Sequence, residues 1–254
     1  MKFIGDYHLH TRVSDGRTDI KGHVAAAKAK GLSEIAISDH SFCSLIYHVT
    51  EKKLQRQRDE IAALDGCGVK IFQGIEGNIL GDELDMSDDI IRGLDVLTAG
   101  FHRFITPTEM RGERSFYLTN GFGSKSAKQK LIDGNTQNYI SVIENYPIDI
   151  IAHLGHRAPV DIKSVCECAK RHGVYIELNA KHLDALEEGI DDAIASGVSF
   201  IVGTDSHSAK NTGEFAAVEK FILEHKIPLE RVFGVDGNMP TFKDKKEWSY
   251  GRDV

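Results

Sequence analysis

Short apolar runs in this chain end, one after another, in histidine or a carboxylate. Lys2–Tyr7 leads into Asp6-Tyr7-His8-Leu9-His10, Glu34–Ser38 into Asp39-His40, and Val69–Ile75 into Glu76. Leu94–Ala99 leads to His102, Ile148–Ala152 to His153, and Val198–Val202 to Asp205-Ser206-His207. A seventh run, Val174–Leu178, ends in Asn179-Ala180-Lys181. Helical patterns separate them: Thr18–Lys30, Thr50–Leu64, Met86–Arg92, Thr136–Asn145, Ile162–Arg171, Ala185–Ala195 and Gly213–His225. Strands that are apolar throughout and alternate with helices pair in parallel, covered on both faces. An open doubly wound sheet would spread their polar ends along an edge. A barrel gathers the C-terminal ends of its strands around one mouth. The expectation is an α/β barrel of seven units with its chemistry at that mouth.

At 254 residues and 41% hydrophobic content, the chain suits one large domain spanning residues 1–254. The stretch 103–130 is polar and reads as a loop over the mouth. The charged tail beyond Pro228, with Pro240 and Trp248, reads as a segment packed on the barrel wall. A net charge of -7 argues against broad contact with a phosphate backbone, so nucleic acid is not an expected partner. It leaves room for a small anionic substrate beside bound cations. Cys43, Cys67, Cys166 and Cys168 form no CxxC pair and read as free thiols. The N-terminus has no signal-peptide pattern, and no apolar run reaches the roughly 20 residues of a membrane span. The expected location is cytoplasmic, with no membrane partner.

His8 and His10 lie two apart at a strand end, which turns both side chains to one face. Two imidazoles can then meet one ion at about 2.0–2.1 Å. One such pair is a weak signal, but Asp205-Ser206-His207 repeats the spacing at another strand end. A single polar residue closing a strand is ordinary. Histidines and carboxylates closing strand after strand indicate a polynuclear metal centre.

The ordered set Asp6-x-His8-x-His10, Ser14-Asp15-Gly16, Ser38-Asp39-His40, Gly74-Ile75-Glu76, His102, His153 and Gly203-Thr204-Asp205-x-His207 resembles the PHP family, named for polymerase and histidinol phosphatase domains. The resemblance spans residues 6 to 207 and implies a distorted (β/α)7 TIM-like barrel with three divalent ions. By similarity, His8, His10, Glu76 and Asp205 hold the first ion. Glu76 bridges to a second, held by His102 and His153, and Asp15, His40 and His207 hold the third. Some members carry His where this chain has Asp15. Imidazole and carboxylate ligands without thiolate suit Zn2+, Mn2+ or Fe2+. Asp6 and Asp39 either orient neighbouring imidazoles or cap strand ends.

Two ions sharing a hydroxide can drive in-line displacement at phosphorus. The expected function is therefore a metal-dependent phosphoesterase hydrolysing a small phosphate monoester, as a histidinol phosphatase does. Asp205 is the candidate proton shuttle. Arg157, Arg103, Asn179 and Lys181 are candidate substrate contacts; Arg12 and Arg17 are weaker ones. His23, His48, His172 and His225 read as surface residues. Two alternatives stand beside this reading. One is a phosphodiesterase or exonuclease acting on nucleotides or nucleic-acid ends. The other is a non-enzymatic regulatory module stabilised by metal.

Overall fold

Glu34–His40 forms β2, and all but its last residue are buried, as a strand covered on both faces requires. Gly5–Leu9 (β1) and Val96–Gly100 (β5) are buried throughout. These strands belong to a computed structural model that describes residues 1–44, 47, 49–102 and 125–250. The other strands are Lys70–Leu80 (β3), Glu83–Leu84 (β4), Ile150–Ile151 (β6), Tyr175–Asn179 (β7), Phe200–Gly203 (β8) and Val232–Phe233 (β9). They run β1-β2-β3-β5-β6-β7-β8-β9 in one parallel sheet, with the short β4 antiparallel to β3.

The sheet curls into a distorted barrel, as expected, and the distortion lies at its seam. Leu9 and Ser206 form a single parallel bridge at the top, where the His10 amide donates to the Ser206 carbonyl at 2.9 Å. Lower down, β9 pairs with β8, and the Ile4 amide donates to the Gly234 carbonyl at 2.8 Å. β4 and β9 were not legible as strands; each is only two residues long.

The helices are Ile20–Ala29 (α1), Glu51–Ala63 (α2), Asp88–Arg92 (α3), Lys125–Asn145 (α4), Ile162–Arg171 (α5), Asp184–Glu187 (α6), Ile190–Ser196 (α7) and Ala216–Glu224 (α8). Ile20, Val24 and Ala27 follow the helical repeat and are buried. Asp19, not Thr18, caps α1 by accepting from the Gly22 amide, a contact worth about 1 kcal/mol. Thr18 instead accepts from the Ala209 amide. The helix expected from Thr136 begins at Lys125, so the polar stretch expected as loop to residue 130 is helical in its last part. Residues 103–124, the remainder of that loop, lie outside the described residues. The single helix expected over Ala185–Ala195 is two, α6 and α7, divided at Gly189. A Cβ on Gly189 would meet Ile162 at 2.6 Å, so α5 packs close against the break.

The C-terminal segment seals the base of the barrel. Phe242 packs edge-on against Tyr7 and Phe72. Fully buried Lys245 places its Nζ 2.6 Å from Asp149 and donates to the carbonyls of Asp95 and Lys243. Trp248 packs on Tyr146, as the tail's composition led one to expect. All four cysteines are free. No helix among the described residues is long and apolar enough to cross a membrane.

Candidate metal centre

Parallel register brings the strand ends to one level. His40 lies opposite Glu76, Glu76 opposite Thr98, and Asn179 opposite Gly203. In β1 the register slips between Asp6 and Leu9, a bulge that re-aims the His8 region. His102, His153, Asp205 and His207 follow the ends of β5, β6 and β8. His153 and Asp205 sit at φ 39 and 50, conformations that L-residues hold only where surrounding contacts enforce them. Glu76 does not end its strand: β3 continues to Leu80, and Glu76 reaches the mouth from mid-strand.

Glu76 is the hub. Its Oε1 lies 2.8 Å from His153 Nε2 and 3.0 Å from His102 Nε2. Its Oε2 lies 3.1 Å from His40 Nδ1, 3.4 Å from His8 Nε2 and 3.6 Å from His10 Nε2. A second centre forms where His207 Nε2 meets Asp15 at 2.9 Å, with His40 and His10 each 3.7 Å from the same carboxylate. Asp205 Oδ1 is 3.4 Å from both His10 Nε2 and His207 Nδ1. All nine residues expected as ligands therefore meet in one cluster. The grouping differs in detail: His10 also faces Asp15, and His40 also faces Glu76 and His102.

The donor set fits cations. Both Glu76 oxygens, His10 Nδ1, His102 Nε2 and His153 Nδ1 are buried and make no hydrogen bond. Leaving such groups unsatisfied costs about 1–3 kcal/mol each. His8 and His10 also point Nε2 at Nε2 across 3.1 Å, an arrangement that a shared proton or cation relieves. Burial, then His40, pushes His10 down to about 3, leaving a neutral ring with lone pairs to give. Burial would raise Glu76, but His102 and His8 hold it well below the usual carboxylate range. Asp205 behaves alike, held low against burial by His10 and His8. Against burial, carboxylates hold the His8, His40 and His153 rings up, while burial holds His10 and His102 down. Such a cluster of carboxylates and imidazoles offers oxygen and nitrogen donors to divalent ions.

Several bracing residues escaped the sequence reading. Buried Glu177 on β7 accepts from His8 Nδ1 at 2.8 Å, from the His153 amide at 3.0 Å and from Asn179 Nδ2 at 2.9 Å. That carboxylate turns His8 Nε2 toward the cluster. Gly203 makes room for it, since a Cβ there would fall 2.1 Å from Glu177 Oε1 and 2.8 Å from His8 Cβ. Asn78 Oδ1 meets His102 Nδ1 at 2.7 Å, while its amide donates to Asp85 and Ser41. His23, expected at the surface, is fully buried and bridges the His10 carbonyl and Thr212 Oγ1. Asp6 and Asp39 do not touch the imidazole rings. Asp6 takes hydrogen bonds from Thr204 and Gly213, and Asp39 from Thr11, Ser14 and Gln57. Of their two expected roles, bracing of strand ends and loops is the one observed.

A cavity of about 340 Å³ opens over the cluster. Arg157, Lys181, His156, His182, Tyr47 and Phe101 line it beside the clustered residues. Arg157 is thus where a substrate contact was expected. Asn179 is not: it is buried behind the wall, its amide engaged by Glu177 and its Oδ1 by the Lys181 amide. Arg103 and His48 lie outside the described residues. Arg12 turns away to the Arg17 carbonyl. His156 and His182 stack at 3.7 Å, and Tyr47 stacks on His40 at 4.9 Å.

The PHP domain family model matches residues 6–186, which include seven of the nine clustered residues, His8 to His153. The chain belongs to the PHP family. Across 91% of its length this PHP protein is 33% identical to a probable phosphatase of Shewanella sediminis, covering 89% of that protein. Another probable phosphatase, from Acetivibrio thermocellus, is 29% identical over 97% of this chain and 98% of its own. Among solved structures, histidinol phosphate phosphatase of Lactococcus lactis superposes with a TM-score of 0.64. That match covers 96% of this chain and 98% of the other at 18% identity, a likeness of fold. Asp205 and His207 lie beyond the residues that the family model covers, and the barrel seam brings them to the cluster.

Proposed function

We propose that this PHP protein hydrolyses a small phosphate monoester with divalent ions held by His8, His10, Asp15, His40, Glu76, His102, His153, Asp205 and His207. Its class, a metal-dependent phosphoesterase, follows from the family together with the clustered ligand-type residues. The observation that carries the finer reading is Glu76, a buried carboxylate within 3.6 Å of five imidazole nitrogens and hydrogen-bonded to none. Three ions, drawn from Zn2+, Mn2+ and Fe2+, match the nine ligands. The Lactococcus relative is described in complex with zinc, L-histidinol and phosphate.

When bound, such ions supply Lewis acidity and a water activated near neutral pH. The chain's own groups do the rest. Arg157 and Lys181 offer cationic donors to phosphoryl oxygens at the cavity wall. Asp205, 3.7 Å from His182 and 3.1 Å from Lys181 Nζ, is suited to take a proton from the attacking water and return it to the leaving oxygen. The cavity volume of about 340 Å³ suits a metabolite-sized ester.

The test is hydrolysis of a phosphate-monoester panel by metal-reconstituted protein, with a phosphodiester and a single-stranded oligonucleotide alongside. Release from a monoester, lost with chelator and in a His8→Ala, His10→Ala double variant, is the expected result. Activity confined to diesters or DNA would replace this reading with a nuclease. Glu177→Gln should retain the fold but weaken divalent-ion affinity by about 10–100-fold, because the His8 ring loses its anionic anchor. Calorimetric metal titration of the variant checks this, and unchanged affinity would remove Glu177 from the account.

A further inference from the structure

A second group of metal-type side chains stands apart from the cavity, in the outer helical layer. Glu144 lies in the last turn of α4, Cys168 in α5, and His172 is the C-cap of α5. Each offers one ligand atom, and the three atoms lie within 4.8 Å of one another. Cys168 Sγ is 4.0 Å from Glu144 Oε1. Cys168 and His172 are one turn apart on the same helix face, and the His172 amide donates to the Cys168 carbonyl at 3.2 Å.

We propose that Glu144, Cys168 and His172 bind a thiophilic divalent ion, Zn2+ foremost, at a site separate from the phosphoesterase centre. A tetrahedral ion, with bonds of about 2.3 Å to sulfur and about 2.0–2.2 Å to nitrogen and oxygen, separates its ligand atoms by about 3.5 Å. The Cys168–Glu144 pair therefore has to close by about half an ångström, and the pairs with His172, within 4.8 Å, by at most about 1.3 Å, within reach of the exposed Glu144 and His172 side chains. Water takes the fourth position. α4 and α5 pack together and both end here, so two sets of terminal carbonyls add negative potential that favours a cation. Arg171, exposed and close to the thiol, opposes the ion and turns to solvent when it binds. The Cys168 thiol is pushed up by burial and by Glu144, so it is protonated until the ion arrives. Binding replaces the S–H bond with a metal–thiolate bond and releases one proton to solvent. Thiolate and imidazole select Zn2+ over the oxygen-seeking Mg2+ and Mn2+. Bound there, the ion ties the end of α4 to the end of α5.

The nine residues of the central cluster include no cysteine, which makes the site separately observable. The full-length chain is stripped with chelator and titrated with Co2+ while thiolate-to-cobalt charge-transfer absorption is followed. The expected result is a band saturating at one ion per chain. It is absent in Cys168→Ser and unchanged in the His8→Ala, His10→Ala double variant. His172→Ala and Glu144→Gln should each weaken the band's apparent affinity by about tenfold or more. Zn2+ should bleach it in competition and Mn2+ should not. No thiolate band at Co2+ levels that fill the histidine cluster overturns the proposal. A band surviving Cys168→Ser, or lost instead in Cys43→Ser or Cys67→Ser, overturns it as well. The two exposed-residue variants keep the test decisive if Cys168→Ser does not fold.

Discussion

Glu76→Gln is expected to reduce kcat on the preferred phosphate ester by more than about 10³-fold, beyond the usual cost of deleting one preorganised electrostatic group. The substitution keeps the shape of the side chain and removes its charge. Five imidazole nitrogens lie between 2.8 and 3.6 Å from this one carboxylate, so the change reaches every part of the cluster. An amide nitrogen would also direct a donor at ring nitrogens whose lone pairs are needed for ligation. Metal content after dialysis should fall along with kcat, while circular dichroism should stay close to the parent. Full metal content with near-parental turnover would remove Glu76 from the centre of the mechanism. A fall in kcat alone, with all metal retained, would point to a role in proton transfer.

Lys245→Met should produce a large loss of stability from a single change outside the cluster. Lys245 and Asp149 are both buried and 2.6 Å apart, with the carboxylate also accepting from the Leu97 and Lys243 amides. Removing one partner strands the other as a buried charge, a cost of about 3–5 kcal/mol. For a chain of this size that corresponds to a Tm lower by about 6–20 °C. The deficit should depend on pH in a defined direction. Burial, only partly offset by Lys245, already raises Asp149 above its ordinary carboxyl value. Between its unfolded and folded values the folded state binds the extra proton, so this group's contribution to stability falls as pH rises. Loss of Lys245 raises the folded value further and widens that window upward. The deficit should therefore shrink on acidification toward pH 4 and be complete at alkaline pH. Thermal melts across pH, with the Asp149→Asn, Lys245→Met pair as control, check both points. A variant equal to the parent at neutral pH would show that Lys245 is not the plug of the barrel base.

Some of this architecture is legible because the signal is local. α5 runs over the residues its pattern marks, Ile162–Arg171, since an Asp161 cap and a run of buried Val165, Cys166, Cys168 and Ala169 lie within one segment. β2 is continuous and apolar, and it reads without ambiguity. Local reading fails where a distant contact decides. His23 looks like a surface residue of an amphipathic helix, yet the carbonyl of His10 and the hydroxyl of Thr212, 189 residues away, draw it inside. Glu177 lies inside the run Val174–Leu178 and not at its end, on a strand without ligand-type neighbours, so it carried no signal. Asn179 ends a strand at the mouth, yet its amide points into the wall because Glu177 and the Lys181 amide satisfy it there.

The sequence by itself determined the fold class and the membership of the cluster. Apolar runs buried on both faces admit few arrangements, and histidines and carboxylates at their ends converge in a barrel whatever its finer shape. Tertiary structure alone decided the pairing: which imidazole faces which carboxylate, and which groups hold the rings in place. His8 and Glu177 stand 169 residues apart and meet at 2.8 Å only because Gly203 leaves the space between their strands empty. Which residue types gather at the mouth follows from strand position and motif. Ring orientation is a property of packing, which no single segment of chain contains.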